Sequence, residues 1–469
     1  MMLFENKTEL SPETMKYIKD NYKGEDYCKK QYDKLKDNFP VRFVDILYMD
    51  ADLILDYMHA SAYYLYDNRI SLTGNKELDE NNLIALLNRD IRFAFDEKTK
   101  ELTKQGQGLG FLNSFIKEKL LSVTVANKGN KNVRERLQDI KYCYKVARKC
   151  ISFKCDLSLQ KLFASTKLVG GQSVSNFRPL ASAYLMYKYG ILEHPEKDTL
   201  NFWIPSEGWL GRLLSSYYIA YKFPNKQINY LSTDPSGDVV SSFWEMVEYL
   251  SNYGIHPLTN WHAEIRQHGS DVEEANFHKN ENKVFDLIWT SPPYSLGYEK
   301  YKDSYIMTAL DANNKEVSIV DKNGNYLSEE YKLDSGQKVK EVVSGDDFIY
   351  RGNKYTLIRK RNVGQSSSKA ITNFGWNERF FRPSVLNAKS NIAKGGTMIW
   401  NVANVITHKT LEDDVVRICQ EEDFELIDTL KYSLSRTPGG IIKDGKRVAL
   451  REIKPLYEPV FVFKLKGND

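Results

Sequence analysis

The sequence predicts an α/β fold with a mostly parallel central sheet, a helical N-terminal region and a β-hairpin-rich insert. Three observations carry this expectation. From about residue 166, short apolar runs alternate with helical segments, the pattern of βαβ units and a parallel sheet. Before that point, apolar residues such as Ile46, Leu47, Leu53, Ile54 and Met58 recur at helical intervals. Between residues 296 and 370, clustered turn residues separate short alternating runs, which is hairpin texture.

Residues 1–165 open with Ser11-Pro12-Glu13, a helix cap with proline at the first helical position. From Lys128 to Lys149 there are eight basic residues against two acids, Glu135 and Asp139, with Tyr142 and Tyr144 interleaved. That stretch reads either as a helix tracking phosphates or as an ordinary solvated helix face.

The α/β region has candidate strands at 200–204, 228–233, 262–267 and 284–290, with helices at 210–221 and 242–251. The insert carries turn residues at 321–325, 344–347 and 351–353 between runs such as VSIV and KYTLIRK, and 364–369 reads as a loop. The α/β pattern resumes with helices near 377–390 and 411–421 and strands near 397–402, 424–432 and 459–464. The chain therefore divides into a helical region at 1–165, an α/β domain at 166–295 and 371–469, and a module spliced in at 296–370.

A chain of 469 residues exceeds one ordinary domain and is long enough for a sizeable core. With 42% hydrophobic and 27% charged residues it reads as soluble and globular rather than disordered. No run of about 18 uncharged apolar residues occurs, so no membrane span is expected. Acids within the first turns of the N-terminus argue against a secretory signal. The five cysteines are scattered, and no second pair or nearby histidine completes a metal pattern around Cys150 and Cys155. Reduced thiols in a cytosolic protein, and no metal, are expected. The net charge of +4 permits a nucleic-acid partner through local patches without requiring one.

Two motifs carry chemistry. The first is Gly208-Trp209-Leu210-Gly211-Arg212, placed after a strand and before a helix. Glycines there let the backbone approach a ligand, and a helix N-terminus offers unpaired N–H groups. The next strand ends in Thr233-Asp234-Pro235, and an acid at that place is where nucleotide-binding α/β folds grip ribose hydroxyls. Two glycines alone also suit a purely structural turn; strand, turn, helix, strand and acid together point to a nucleoside cofactor.

The second motif is Ser291-Pro292-Pro293-Tyr294, at the carboxyl end of the run Phe-Asp-Leu-Ile-Trp-Thr. Prolines end a strand, fix φ and offer no N–H, so the backbone presents rigid carbonyl acceptors. Ser291 adds a side-chain acceptor and Tyr294 a flat ring. Such a site suits an amino group attached to a planar ring, as on a nucleobase. Taken alone, the same residues also make a plain strand-ending turn.

Together these motifs resemble the S-adenosylmethionine-dependent DNA amino-methyltransferases. Their tetrapeptide of Asp, Asn or Ser, two prolines and an aromatic is matched by Ser291-Pro292-Pro293-Tyr294. A subset carries Gly-Trp-Gly-Gly-Arg-Leu, which Gly208-Trp209-Leu210-Gly211-Arg212-Leu213 is similar to. The resemblance covers about 168–300 and, more loosely, 375–465. It implies a Rossmann-like methyltransferase fold with S-adenosylmethionine as cofactor. Ser206, Glu207, Gly208 and Gly211 would line the cofactor loop, Asp234 would hold the ribose and Asp271 would lie near the adenine. Asn176, Phe177 and Arg178 match the segment that closes over the methionine moiety.

The resemblance also implies double-stranded DNA as partner and a base flipped from the duplex. Ser291 and the Pro292 carbonyl would accept the two amine hydrogens, Pro293 would fix the turn and Tyr294 would stack on the base. Serine at the first position favours N4 of cytosine, with N6 of adenine as the alternative. The insert is the candidate target-recognition region. Within it, Arg351, Lys354, Arg359, Lys360 and Arg361 occur with no acid between them, as phosphate contacts or as the solvated face of a hairpin. The helical region is a further candidate for DNA contact. A separately encoded cognate restriction endonuclease and a location in the cytoplasm of a bacterial or phage-infected cell follow from the same resemblance.

The chain departs from the family pattern at three places. Ile204 stands where an acid usually ends the first strand, Leu210 replaces the middle glycine, and the insert follows the proline motif directly. Two other functions therefore stay in view: methylation of an RNA base or protein amide, and a nucleic-acid binder of this fold that takes no cofactor.

Overall fold

The computed structural model describes residues 12–46, 49–69, 80–125, 131–153, 155–171, 174, 176–253, 257–293, 299–300, 305–313, 316–317, 332–333, 347–350, 353–361, 373–405, 408–434, 440–443, 446–449 and 457–467. Among them, no helix is long and apolar enough to cross a membrane.

The N-terminal helices bury apolar stripes against one another. Helices α1 (Glu25–Leu35), α2 (Ala51–Asp67) and α3 (Ile140–Ser152) share a core that includes Ile54, Met58, Leu65, Val146 and Ile151. Asp50 caps α2 by accepting from the Leu53 N–H. Helix α3 carries part of the basic stretch, but Tyr142 and Tyr144 face inward, with hydroxyls on the carbonyls of Thr166 and Ile18. The apolar face of the helix takes the tyrosines, and the charges are left to solvent. Residues between Leu83 and Val123 pack instead into the core of the α/β domain, so the first 165 residues serve two cores.

Nine strands make the central sheet: β1 (Phe95–Asp96), β2 (Glu101–Leu102), β3 (Thr199–Ile204), β4 (Gln227–Thr233), β5 (Trp261–Arg266), β6 (Phe285–Thr290), β7 (Ile392–Asn401), β8 (Phe424–Ser433) and β9 (Tyr457–Leu465). Their spatial order is β1-β2-β8-β9-β7-β6-β3-β4-β5. From β5 across to β7 every pairing is parallel, while β9 runs antiparallel to both of its neighbours, β7 and β8. All six residues of β6 are buried, the mark of a central strand covered on both faces. This is a Rossmann-like α/β arrangement, with an antiparallel strand set between two others beyond β7.

Side-chain alternation sends successive residues to opposite layers. Phe202, Ile204, Leu287 and Trp289 join the core beneath α4 (Pro179–Met186) and α5 (Gly211–Lys222). Helix α6 (Gly237–Glu248) covers the same side. Trp203, Ile288, Met398 and Trp400 join the opposite core, under α7 (Arg382–Asn391) and α8 (Leu411–Glu421). The observed strands and helices fall close to the expected ones. Strands β1 and β2, two residues each, carry no pattern long enough to read, and they extend the sheet edge through Lys431 and Tyr432 of β8.

The insert is a separate antiparallel sheet in the order 316–317, 305–311, 353–361, 347–350, 332–333. At its start, Glu299–Lys300 pairs with Thr124–Val125 of the N-terminal region.

Candidate active site

Strands β4 and β5 follow β3 on one side, while β6 lies on its other side. The winding reverses between β3 and β6, and ligands of open α/β sheets bind outside the carboxyl ends of the strands at such a point. Both sequence motifs arrive there. Strand β3 ends at Ile204 and leads into the glycine turn; β6 ends at Thr290 and leads into Ser291, Pro292 and Pro293. Thr290 Oγ1 donates to the Ser206 carbonyl at 2.8 Å, so the two loops are hydrogen-bonded to each other.

The glycine turn needs unusual backbone. Gly208 has φ +67° and Leu210 φ +62°. The second value falls where the resembling motif has glycine, so the conformation persists although the residue has changed. A left-handed leucine costs roughly 1–2 kcal/mol, and full burial of its side chain, worth about 2 kcal/mol, offsets that. Gly211 is required for another reason. A Cβ there would lie 2.2 Å from the Phe177 carbonyl oxygen and 2.6 Å from Asn176 Oδ1. The Asn176–Phe177 segment thus lies directly on the first turn of α5, and Asn176 Nδ2 donates to the Trp209 carbonyl at 2.5 Å.

Two buried charges brace the turn. Arg212 Nη1 donates to the carbonyls of Ser206 and Glu207 at 3.1 and 2.8 Å, with its guanidinium 4.8 Å from the centre of the Trp289 ring. The Glu207 carboxylate accepts from the Leu213 N–H at 3.3 Å and from the Tyr230 hydroxyl. It is fully buried, and burial pushes its pKa up to about 7 against the pull of Tyr230 and Arg212. Glu207 is therefore turned into the core.

Asp234 follows β4. One carboxylate oxygen accepts from the Gly208 N–H at 3.1 Å and the other from the Ser236 N–H at 2.9 Å. Burial pushes its pKa up to about 6, while those two N–H groups pull it down. Beside it, the buried Thr233 hydroxyl has no hydrogen-bond partner among the described residues. Asp271, half-buried, sits in the turn after β5, whose Ser270 and Val272 carbonyls accept from Asn387 Nδ2 of α7 at 2.9 and 2.8 Å.

Phe177 and Arg178 are fastened from β8. The Phe177 ring stacks on Tyr432 at 4.1 Å and 15° and meets Trp289 edge-on at 4.7 Å. The Tyr432 hydroxyl accepts from the Arg178 N–H at 3.2 Å, and Arg178 Nη1 donates to the Ser433 carbonyl at 2.7 Å.

The structure thus brings Asn176, Phe177, Ser206, Gly208, Gly211, Asp234 and the start of the proline motif together at the switch point, with Arg178 behind them and the Glu207 carboxylate, expected to line the cofactor loop, turned into the core instead. Ser291 and Pro293 are half-buried and Pro292 is buried; Tyr294 lies outside the described residues. Lys354, Arg359, Lys360 and Arg361 stand on the insert strand 353–361, and Arg351 lies outside the described residues. Sequence reasoning missed three supports, namely Thr290, Arg212 as a buried clamp, and Tyr432. Thr290 and Arg212 adjoin the motifs, but nothing local marks Tyr432.

No protein-family model and no curated protein matches the chain. Among solved structures it is similar to a protein from Listeria monocytogenes designated a class I S-adenosylmethionine-dependent methyltransferase. The identity is 11% and the TM-score 0.32, over 83% of this chain and 89% of that one. It is also similar to the methyltransferase subunit of a type I restriction-modification system from Streptococcus thermophilus, at 10% identity and TM-score 0.28, over 97% and 83%. A third is precorrin-6y C5,15-methyltransferase from Geobacter metallireducens, at 7% identity and TM-score 0.28, over 61% and 87%. Likeness at this level carries no chemistry; the fold rests on the strand order and the two switch-point loops.

Proposed function

We propose that this chain is an S-adenosylmethionine-dependent DNA amino-methyltransferase acting on the exocyclic amine of a flipped base, N4 of cytosine in preference to N6 of adenine. The observation that carries the reading is the hydrogen bond from Thr290 to Ser206, which holds the proline motif and the glycine turn together at the switch point. A site that joins a nucleoside to an amine needs those two loops in contact.

The residues of the crevice fit the cofactor. Asp234 is a carboxylate pre-set by two backbone N–H groups, and each oxygen keeps acceptor capacity for a ribose hydroxyl. The close approach at Gly211 leaves room for backbone rather than side chain, and Asn176 and Phe177 close that side. When bound, S-adenosylmethionine supplies a methyl group already activated on a sulfonium, so no covalent nucleophile or metal is called for.

The task left to the chain is alignment. Ser291 Oγ and the Pro292 carbonyl accept the amine hydrogens, which favours a tetrahedral nitrogen with its lone pair aimed at the cofactor. Tyr294 stacks on the base. Extracting the base from the duplex costs roughly a few kcal/mol, and phosphate contacts from the strand bearing Lys354, Arg359, Lys360 and Arg361 offset it.

The test is transfer of labelled methyl from S-adenosylmethionine to duplex DNA, to RNA and to a protein extract in parallel, followed by nucleoside analysis. Label in DNA as N4-methylcytosine is the expected result. Label confined to RNA or protein would overturn the substrate, and no cofactor binding at millimolar concentration would overturn the enzyme.

A further inference from the structure

We propose that Phe374 is a wedge that enters the DNA duplex where the target base has left it. This rests on the reading of the site as a DNA base methyltransferase.

Phe374 is 75% exposed, the most exposed large hydrophobic side chain among the described residues. Its mount is rigid. Gly375 and Trp376 beside it are buried, and the Trp376 ring stacks on Phe381 at 5.3 Å and 7° and meets His408 edge-on at 5.9 Å. An apolar ring presented on an anchored base, rather than folded back onto it, marks a contact surface.

Its position is the second observation. The turn Asn373–Trp376 continues through a widened π turn, Asn377–Phe381, into α7, which feeds directly into β7. The helix therefore descends towards the amino end of β7, and its start lies on the carboxyl side of the sheet, where the crevice is. Midway along, Ser384 Oγ lies 2.9 Å from Ser270 Oγ in the loop after β5. Phe374 precedes Ser384 by ten residues of helical turn, five of them in the π turn, roughly 10–15 Å of rise, so it lies beyond the loop after β5 on the carboxyl side of the sheet.

Charge supplies the third. The strand 353–361, which holds four cations and no acid, is the last described part of the insert before Asn373. A phosphate-binding strand followed by an exposed ring suits a duplex held by its backbone and probed in its stack. Flipping a base leaves a gap in the stack, and apolar side chains such as phenylalanine are able to insert between base steps. A ring with two torsions loses little freedom in doing so.

The experiment compares wild type, Phe374→Ala and Phe374→Trp as full-length proteins on unmethylated duplex DNA and on the same DNA made single-stranded, with cofactor binding and thermal unfolding measured alongside. Phe374→Ala is expected to lose at least tenfold in methylation rate on duplex and less than threefold on single strands. Phe374→Trp is expected to stay near wild type, and Tm and cofactor affinity to stay within error. Equal losses on both DNA forms, or no loss on duplex, would overturn the wedge while leaving the enzyme's function standing. A wild-type protein that labels no DNA would remove the function and the wedge with it.

Discussion

Thr290 on β6 donates its hydroxyl hydrogen to the carbonyl of Ser206 beyond β3, at 2.8 Å, across the point where the sheet reverses its winding. The same carbonyl accepts from Arg212 at 3.1 Å. One backbone oxygen thereby ties together the strand that carries the proline motif, the glycine turn and the helix behind it.

Thr290→Val keeps the side-chain shape and removes the donor. Because Arg212 still serves the Ser206 carbonyl, the stability cost should be modest, about 1 kcal/mol. Alignment of the two loops should suffer more, with turnover falling about tenfold or more while cofactor Kd stays within a factor of three. Single-turnover methyl transfer alongside calorimetry would separate the two, and an unchanged rate would refute the coupling.

Gly211→Ala places a methyl group where the Phe177 carbonyl and the Asn176 side chain already lie. The overpacking should cost about 1–3 kcal/mol and push the Asn176–Phe177 segment off α5. Cofactor affinity is expected to fall at least tenfold in calorimetry, with urea unfolding still cooperative.

How much of this was legible beforehand follows the range of each signal. Strand and helix positions, the glycine turn and the proline motif are local patterns, and each falls close to where the sequence put it. The stack of Phe177 on Tyr432 joins residues far apart in the chain, and only the strand order that sets β8 between β9 and β2 brings them together. The basic stretch around Tyr142 and Tyr144 stayed open for a related reason: the sequence shows rings among charges, while helical phase decides which face is buried. Leu210 shows the reverse, because its residue type argued against the motif and its backbone retains the left-handed turn.

Asp234 should make cofactor binding pH-dependent. Only when ionised does its carboxyl group accept through both oxygens with full charge, and burial raises its pKa to about 6. Affinity should therefore be full at pH 7.5 and decline as pH falls through about 6. Asp234→Asn should weaken binding at pH 7.5 by roughly ten- to a hundredfold, the value of hydrogen bonds to a charged group, and flatten the profile below it. Calorimetry at pH 5.5, 6.5 and 7.5 checks both.

Glu207 should leave its mark on stability instead. Its pKa rises from 4.5 to about 7 on folding, so the folded protein holds a proton that the unfolded chain has released. The contribution is fully present below about pH 4.5 and is lost as pH rises through 7. Its ceiling is about 3 kcal/mol at 1.36 kcal/mol per pH unit. Glu207→Gln, which carries no titrating proton, should remove this part of the decline in urea-unfolding free energy between about pH 4.5 and 7. A wild-type slope retained in the variant would place its origin elsewhere.

The insert leaves the framework at Lys300, already paired with the N-terminal region through Thr124 and Val125, and the chain is again part of the framework at Asn373, on the helix that feeds β7. Both junctions are fixed by residues outside the module. Its interior can therefore drift in length and composition without disturbing β6 or the turn beside it. Under the proposed function, in which the insert reads the target, descendants of such a chain are free to change what they recognise faster than what they do, as a tool keeps its motor while its bit is exchanged.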